Sequence, residues 1–181
     1  MLETWRLVAS DLRGKAAWVY ESERPSALLK ALLTDGTPAM VLYRLMQASR
    51  RHHLAPLEMV FNKLNSVFCG CIIGRGAEFG PRFVLIHSGG VVINGGVRGG
   101  EGVLLEHQVT IGAEKRHSPV LGDRVFVGAG AKIVGAVTIG SGSRVGANAV
   151  VVHDVPPDTT VVGIPARPVT RRPEDGGGGS G

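Results

Sequence analysis

Apolar residues recur at every sixth position through the middle of the chain. From Ile73 to Val151, one phase of six holds an apolar residue at each step except Lys115. An α-helix has 3.6 residues per turn, so this period would carry the side chains around the helix axis instead of keeping them on one face. Short strands joined by turns accommodate it. The pattern predicts a solenoid of about four coils, each burying its apolar residues against the next.

The composition of the later hexads supports this interpretation. A large aliphatic residue is followed by glycine and, four positions on, by a smaller residue, as at Leu121, Val127, Ile139 and Val145. The large side chain fills a narrow core, and the smaller one makes room for it. Glycine at the corners supplies backbone conformations that other residues adopt reluctantly. These segments are typical of hexapeptide repeats.

The regions on either side of the repeat have different residue patterns. Helical spacing over 3–20, 26–34 and 39–52, with a chain break at 35–38, predicts a helical cap that covers the open end of the solenoid without a catalytic role. Pro156 and Pro157 are expected to stop the repeat, because proline cannot donate a ladder hydrogen bond. The predicted division is a helical region (1–68), the β-helix (69–156), a C-terminal extension (157–170) and a flexible Gly-rich tail (171–181).

Composition and charge exclude several classes of protein. The net charge is +5, but the basic residues are scattered and aromatic residues make up only 5% of the chain, which argues against nucleic-acid binding. No apolar run approaches the roughly 18 residues of a membrane span, and the N-terminus lacks the order of a signal peptide, so we predict a soluble, cytoplasmic protein. Cys69 and Cys71 are too few for a structural zinc site and are expected to be a reduced pair.

Candidate chemistry lies where the repeat departs from its own rule. His87 interrupts a hexad otherwise made of aliphatic, glycine and small residues. Lys115 would lose its hydration in an apolar core, so residues 112–119 are predicted to leave the coil as a loop. Loops on a rigid scaffold commonly carry function.

The motifs resemble those of serine O-acetyltransferases over roughly residues 70–169. The segments that carry the resemblance are 73–76, 87–90, 109–112, 116–117, 127–133, 155–157 and 163–167. The resemblance implies a mainly β fold: a left-handed parallel β-helix of hexapeptide repeats with a short N-terminal α-helical region, assembled as a homotrimer. It also implies direct transfer of an acetyl group from acetyl-CoA, a co-substrate and not a tightly bound cofactor, to the hydroxyl of L-serine.

The same resemblance assigns roles to individual residues. His87 matches the general base, and imidazole, which titrates near neutrality, is a natural acceptor for the hydroxyl proton. Arg116 and His117 match an Arg-His pair that lines the amino-acid pocket, with His117 also supporting the reacting centre. The implied acetyl-CoA-binding positions, in a groove between adjacent β-helices, are Gly112, Ala129, Ala147 and Arg167.

Two positions depart from the family pattern. Ile86 and Ile72 stand where the family has aspartates, one contacting substrate and one orienting the catalytic histidine. The orienting group is then expected to be Glu78, Glu106 or a backbone carbonyl. The acceptor is L-serine or, alternatively, a hydroxyl of a sugar, glycan or specialised metabolite.

The sequence leaves two further classes of protein as alternatives. His87, His107 and His117 raise the possibility of a metal site between neighbouring β-helices, as in γ-class carbonic anhydrases, but their spacing does not match that family and no metal is predicted. His107 is then interpreted as a surface or packing residue. A non-catalytic trimeric scaffold is the second alternative class.

Overall fold

The structure, a computed structural model, describes residues 2–169. The described residues do not include the predicted tail (171–181) or residue 170, the last of the predicted extension. Within that range, four helices come first: α1 (Leu2–Tyr20), α2 (Pro25–Leu32), α3 (Thr37–Arg51) and α4 (Ala55–Cys69). Helices α2 to α4 each have proline in the first turn, where its missing N–H costs nothing. Gly70, with φ of 58°, ends α4 and turns the chain into the first coil.

Short strands then wind into three sheets, which form the faces of a triangular prism. The first sheet contains β1 (Ile72–Ile73), β4 (Val92–Ile93), β7 (Thr110–Gly112), β10 (Lys132–Val134) and β13 (Val150–Val151). The second contains β2 (Glu78–Phe79), β5 (Arg98–Gly99), β8 (Val120–Leu121) and β11 (Thr138–Ile139). The third contains β3 (Val84–Leu85), β6 (Leu104–Leu105), β9 (Phe126–Val127), β12 (Arg144–Val145), β14 (Thr160–Val162) and β15 (Arg167–Pro168). All pairings between these strands are parallel except that of β15 with β14, so the predicted parallel β-helix is confirmed.

The core is a set of aliphatic columns inside the prism. Along the first sheet, one residue per coil points inward and is at most 2% exposed: Ile73, Ile93, Ile111, Ile133 and Val151. Each residue packs on the equivalent one in the next coil, so several coils must form together for any of them to be buried. Cys71 is buried, Cys69 is partly buried, and both thiols are free, as the sequence predicted.

The coils differ in length, so the apolar residues of the predicted six-residue phase do not all occupy equivalent positions in the coils. Paired residues are eighteen positions apart in a regular coil, as for Ile93 and Ile111, but twenty apart for Leu85 and Leu105. They are twenty-two apart for Gly99 and Leu121. Two extra residues therefore lie between Leu85 and Ile93, and four lie between Ile111 and Leu121.

The two insertions together make one whole hexad. The phase that begins at Ile73 follows the inward strand position of each hexad as far as Leu85. It then passes to a second buried position, two residues earlier in the hexad, at Val91, Val97, Val103 and Val109, and returns to the strand position at Leu121. Both hexad positions are mostly apolar, so the repeat looked unbroken in the sequence. Each insertion coincides with a departure singled out there, His87 in the first and Lys115 in the second.

The repeat does not stop at Pro156 and Pro157, contrary to expectation. Val145 pairs with Val161, so the parallel ladder resumes in β14, within the segment predicted as a C-terminal extension. The two prolines lie in the corner before that strand, where Pro156 accepts a hydrogen bond of 2.7 Å from Ser143 Oγ and no ladder N–H is needed. This coil is two residues shorter than a regular one.

Buried polar contacts fix the helices to the first coils. Arg44 on α3 pairs with Asp11 on α1 at 2.7 Å, and both side chains are 1% exposed. The guanidinium also donates to the carbonyl oxygens of Phe79 and Gly80, while Asp11 accepts from the backbone N–H of Phe83. Removing one partner of such a pair would leave a buried charge without a counter-charge and would strongly destabilise the fold. The pair therefore fixes the helical region relative to the β-helix.

Candidate active site

His87 lies at the corner between the third and first sheets, in the two-residue insertion. The chain leaves β3 at Leu85 and enters β4 at Val92, and Gly90 takes φ of 73° in the turn. A Cβ on Gly90 would come within 3.1 Å of the Gln108 side chain in the next coil. The longer corner leaves the His87 side chain 55% exposed, although its neighbours Ile86 and Ser88 are buried.

Asp35, in the turn before α3, orients the His87 ring. Its Oδ2 is 3.2 Å from His87 Nδ1, and its Oδ1 accepts a hydrogen bond of 3.3 Å from Ser88 Oγ. Partial burial would raise the pKa of Asp35, but the backbone N–H of Gly36 and then the hydrogen bonds from His87 and Ser88 outweigh it and hold that pKa below its usual value. A carboxylate only accepts hydrogen bonds, so Nδ1 carries the proton and Nε2 is left as the acceptor.

This contact corrects the expectation for the orienting group. Glu78 pairs with Arg98, and Glu106 approaches His107 at 3.7 Å, so neither is the carboxylate on His87 Nδ1. The helical cap does more than cover the end of the solenoid, because its α2–α3 turn reaches the candidate base. Sequence reasoning missed Asp35 because it precedes His87 by more than fifty residues and lies outside the repeat.

A second histidine and a column of alanines occupy the same corner in the following coils. His107 follows β6, and its ring centroid is 6.0 Å from that of His87. Ala129 and Ala147 come two positions after Val127 and Val145. Val127 pairs with Leu105 and Val145 pairs with Val127, so the two alanines continue the column above His107. His107 is thus not an isolated surface residue: it lies between the candidate base and a strip of small side chains.

The remaining predicted acetyl-CoA positions are more scattered. Gly112 ends β7 and pairs with Val134, which places it on the first sheet and not in the corner column. Arg167 is exposed in β15 and pairs with Val162, close to where the last coil passes the same corner. Ala129 and Ala147 thus share the corner of His87, and Gly112 does not.

Arg116 and His117 lie in the four-residue insertion, between β7 and β8. Glu114 and His117 exchange backbone hydrogen bonds of 2.9 Å, and Lys115, Arg116 and His117 are exposed, so the predicted loop is present. This loop is at the corner between the first and second sheets, whereas His87 is at the corner between the third and first. Within one chain, the structure does not bring His117 to His87.

The sequence of the chain is similar to those of known proteins. A profile of the bacterial transferase hexapeptide family (six repeats) matches residues 118–153. A serine acetyltransferase of Mycobacterium tuberculosis is 37% identical over 169 residues, covering 90% of this chain and 73% of the relative. The chain belongs to the serine acetyltransferase family.

Solved structures extend the similarity to the whole described fold. Soybean serine acetyltransferase complexed with serine is 33% identical with a TM-score of 0.80, covering 92% of this chain and 69% of that one. A serine acetyltransferase in complex with CoA is 27% identical with a TM-score of 0.80, again covering 92% and 69%. Ile86 departs from the family pattern: its side chain is apolar and only 8% exposed, and it contributes no polar group to the corner.

Proposed function

We propose that this chain transfers the acetyl group of acetyl-CoA to the hydroxyl of L-serine, giving O-acetylserine and CoA. Its membership of the serine acetyltransferase family supports the reaction, as do the related structures with serine and with CoA. The observation in this chain that carries the proposal is the Asp35–His87 pair at 3.2 Å, at a corner followed by a column of small residues. A carboxylate on one imidazole nitrogen, with the ring exposed, is the arrangement that a general base requires.

His87 acts as the general base in this proposal. Its Nε2 accepts the hydroxyl proton while the serine oxygen attacks the thioester carbonyl and forms a tetrahedral intermediate. Collapse of that intermediate breaks the C–S bond, and the imidazolium returns the proton to the departing thiolate of CoA. Asp35 stabilises the imidazolium between these steps and holds the productive tautomer.

Acetyl-CoA is a co-substrate that binds and leaves in each turnover. The column of Ala129 and Ala147 leaves room for an extended pantetheine arm that ends near His107 and His87. Arg167 is available at the far end of this column for the phosphates, and Gly112 contributes backbone on the neighbouring face. His107, between the base and the alanines, would lie beside the thioester.

A homotrimer would complete the site. His87 and His117 lie at opposite edges of the first sheet, and the outer face of that sheet carries the exposed apolar residues Ile72 and Val92, 49% and 40% exposed. Association of copies along this sheet, about an axis parallel to the solenoid, would cover the apolar face and bring Arg116 and His117 of one copy towards His87 of the next. Light scattering coupled to size exclusion tests this, and a monomer would contradict it.

Ile86 favours a second candidate acceptor. Buried and apolar where the family has an aspartate, it offers no counter-charge for the amino group of serine. The second candidate function is therefore O-acetylation of a sugar, glycan or specialised-metabolite hydroxyl with the same base.

Location is proposed from the thiols and from the helices. Free Cys69 and Cys71 are compatible with a reducing compartment, which supports the cytoplasm. None of the helices within residues 2–169 combines the length and apolar character that crossing a membrane requires.

Thiol release from acetyl-CoA tests the function. L-serine, L-homoserine and simple sugars are offered separately to the wild-type protein and to His87→Ala, which we expect to lower turnover by about 10² to 10⁴-fold with the fold intact. Release that requires serine and is lost in the variant supports the first candidate. Release only with another alcohol selects the second, whereas full activity of His87→Ala rules out the general base.

A further inference from the structure

Lys15 of α1 lies beneath the contact between Asp35 and His87. Its side chain is fully buried, at 0% exposure. The ammonium donates to the carbonyl oxygen of Asp35, to that of Leu85 at 3.0 Å and to that of Ile86 at 3.3 Å. An ammonium has three N–H donors, so these acceptors account for all of them. One buried cation therefore holds the turn that carries Asp35 against the two residues that precede His87.

The backbone at this contact leaves no room for a side chain at residue 36. Gly36 follows Asp35 with φ of 80°, and a Cβ built on it would collide with the carbonyl oxygen of Leu85. The same Cβ would come within 3.0 Å of Lys15 Nζ. The α2–α3 turn therefore approaches the end of β3 backbone to backbone, with Lys15 as the polar group between them.

Burial makes this position costly for a charged group. Burial lowers the pKa of Lys15 to about 8, although the charge of Asp35 opposes the shift. The Asp35 carboxylate itself is turned to His87 and Ser88, so among residues 2–169 the ammonium donates to backbone carbonyls and to no carboxylate. A buried ammonium pays a desolvation cost, and here its hydrogen bonds join two backbone segments, so its contribution is to fix their geometry.

We propose that Lys15 is a positioning residue for acetyl transfer, which fixes the Asp35 carboxylate against His87 Nδ1 by binding the backbone of both segments. The role rests on the proposed function of His87. Lys15 touches neither substrate nor the reacting atoms. It acts through Asp35, and its removal should let the turn withdraw from the corner.

The experiment is a double-mutant cycle with a readout that does not depend on turnover. Lys15→Met keeps the length of the side chain and removes the donors, and Lys15→Gln replaces it if the first variant does not fold. Each is combined with Asp35→Asn, and kcat and the KM for acetyl-CoA are measured. Nitrogen NMR of the imidazole ring reports the tautomer of His87 in the same proteins. Tyr43→Phe is the matched control, because its hydroxyl bonds the backbone of Ala77 and Phe79 in the first coil but not the turn.

We expect Lys15→Met to lower kcat about tenfold or more, with KM within about twofold, and Asp35→Asn to cost only about a further twofold in that background. The Nδ1–H tautomer should lose population in the Lys15 variant and not in Tyr43→Phe. Multiplicative losses in kcat, or an unchanged tautomer in a folded Lys15 variant, would overturn the proposal. If the wild type acetylates no alcohol, the proposed function fails, and the tautomer still decides the role of Lys15.

Discussion

Neutralising Asp35 tests how the candidate base is held and charged. Asp35→Asn keeps the shape of the side chain and an oxygen able to accept from His87 Nδ1, so the main change is the loss of one negative charge. At the observed 3.2 Å, a carboxylate and an imidazolium attract each other by about 1.3 kcal/mol at a dielectric constant of 80 and about 2.6 kcal/mol at half that value. The Asp35 side chain is 59% exposed, so the higher dielectric range applies.

That attraction develops as His87 takes up the proton, and it therefore appears in kcat. Because about 1.4 kcal/mol corresponds to a factor of ten, kcat for acetyl transfer should fall about 10- to 100-fold, with an unchanged KM for acetyl-CoA. Thiol release at saturating acceptor measures it. Glu106→Gln is the control: this carboxylate belongs to the same corner but approaches His107, and its loss should change kcat by no more than about twofold. An Asp35→Asn enzyme within twofold of the wild type, or an equal loss in Glu106→Gln, would refute the role given to Asp35.

Three other predictions concern stability. Ile133→Ala should lower the free energy of unfolding, measured with urea, by about 2 to 5 kcal/mol because the side chain is fully buried. Val120→Ala is the control: its side chain is 45% exposed, and its loss should cost less than about 1 kcal/mol. Gly36→Ala should lower Tm, because the added Cβ would meet the carbonyl oxygen of Leu85. Gly89→Ala should leave Tm unchanged, because nothing lies within 4 Å of a Cβ at that position. Equal Tm values for the two variants would contradict the close approach at the turn. The folded-state pKa of Asp35 lies below 3.8, so its stabilisation is complete above that pH and lost as pH falls through the folded value. The free energies of unfolding of wild type and Asp35→Asn, measured with urea, should therefore differ by a constant amount above pH 3.8 and approach each other as the pH falls below it. A difference that does not change with pH would be inconsistent with this.

The parallel β-helix could be predicted because the repeat is local and its apolar period has one physical explanation. The lengths of individual coils could not, because Val91 and Ile93 are both apolar and either could occupy the strand position. The insertion at His87 was therefore hidden by the insertion at Lys115, which restored the phase. A polar residue at one of these two hexad positions would have revealed the shift.

The partner of His87 required tertiary structure. Asp35 occurs in a segment whose glycine and proline indicate only a chain break, and nothing local distinguishes it from any turn aspartate. Its place beside His87 depends on the packing of α1 and α3 against the first coil, including the buried Arg44–Asp11 pair. His107 was detectable in principle, because the register of Leu85 with Leu105 puts it one coil above the candidate base.

The antiparallel return of β15 has a consequence for self-association. A β-helix offers unpaired N–H and C=O groups on its last coil, and these could accept the first coil of another molecule and start a fibre. At one end the helices fill this position. At the other end β15 runs against β14, so a parallel strand from a second molecule finds that edge of the third sheet already taken. A chain ending before residue 163 would lack this protection at one end only, so we expect it to associate through its last coils into dimers that light scattering detects.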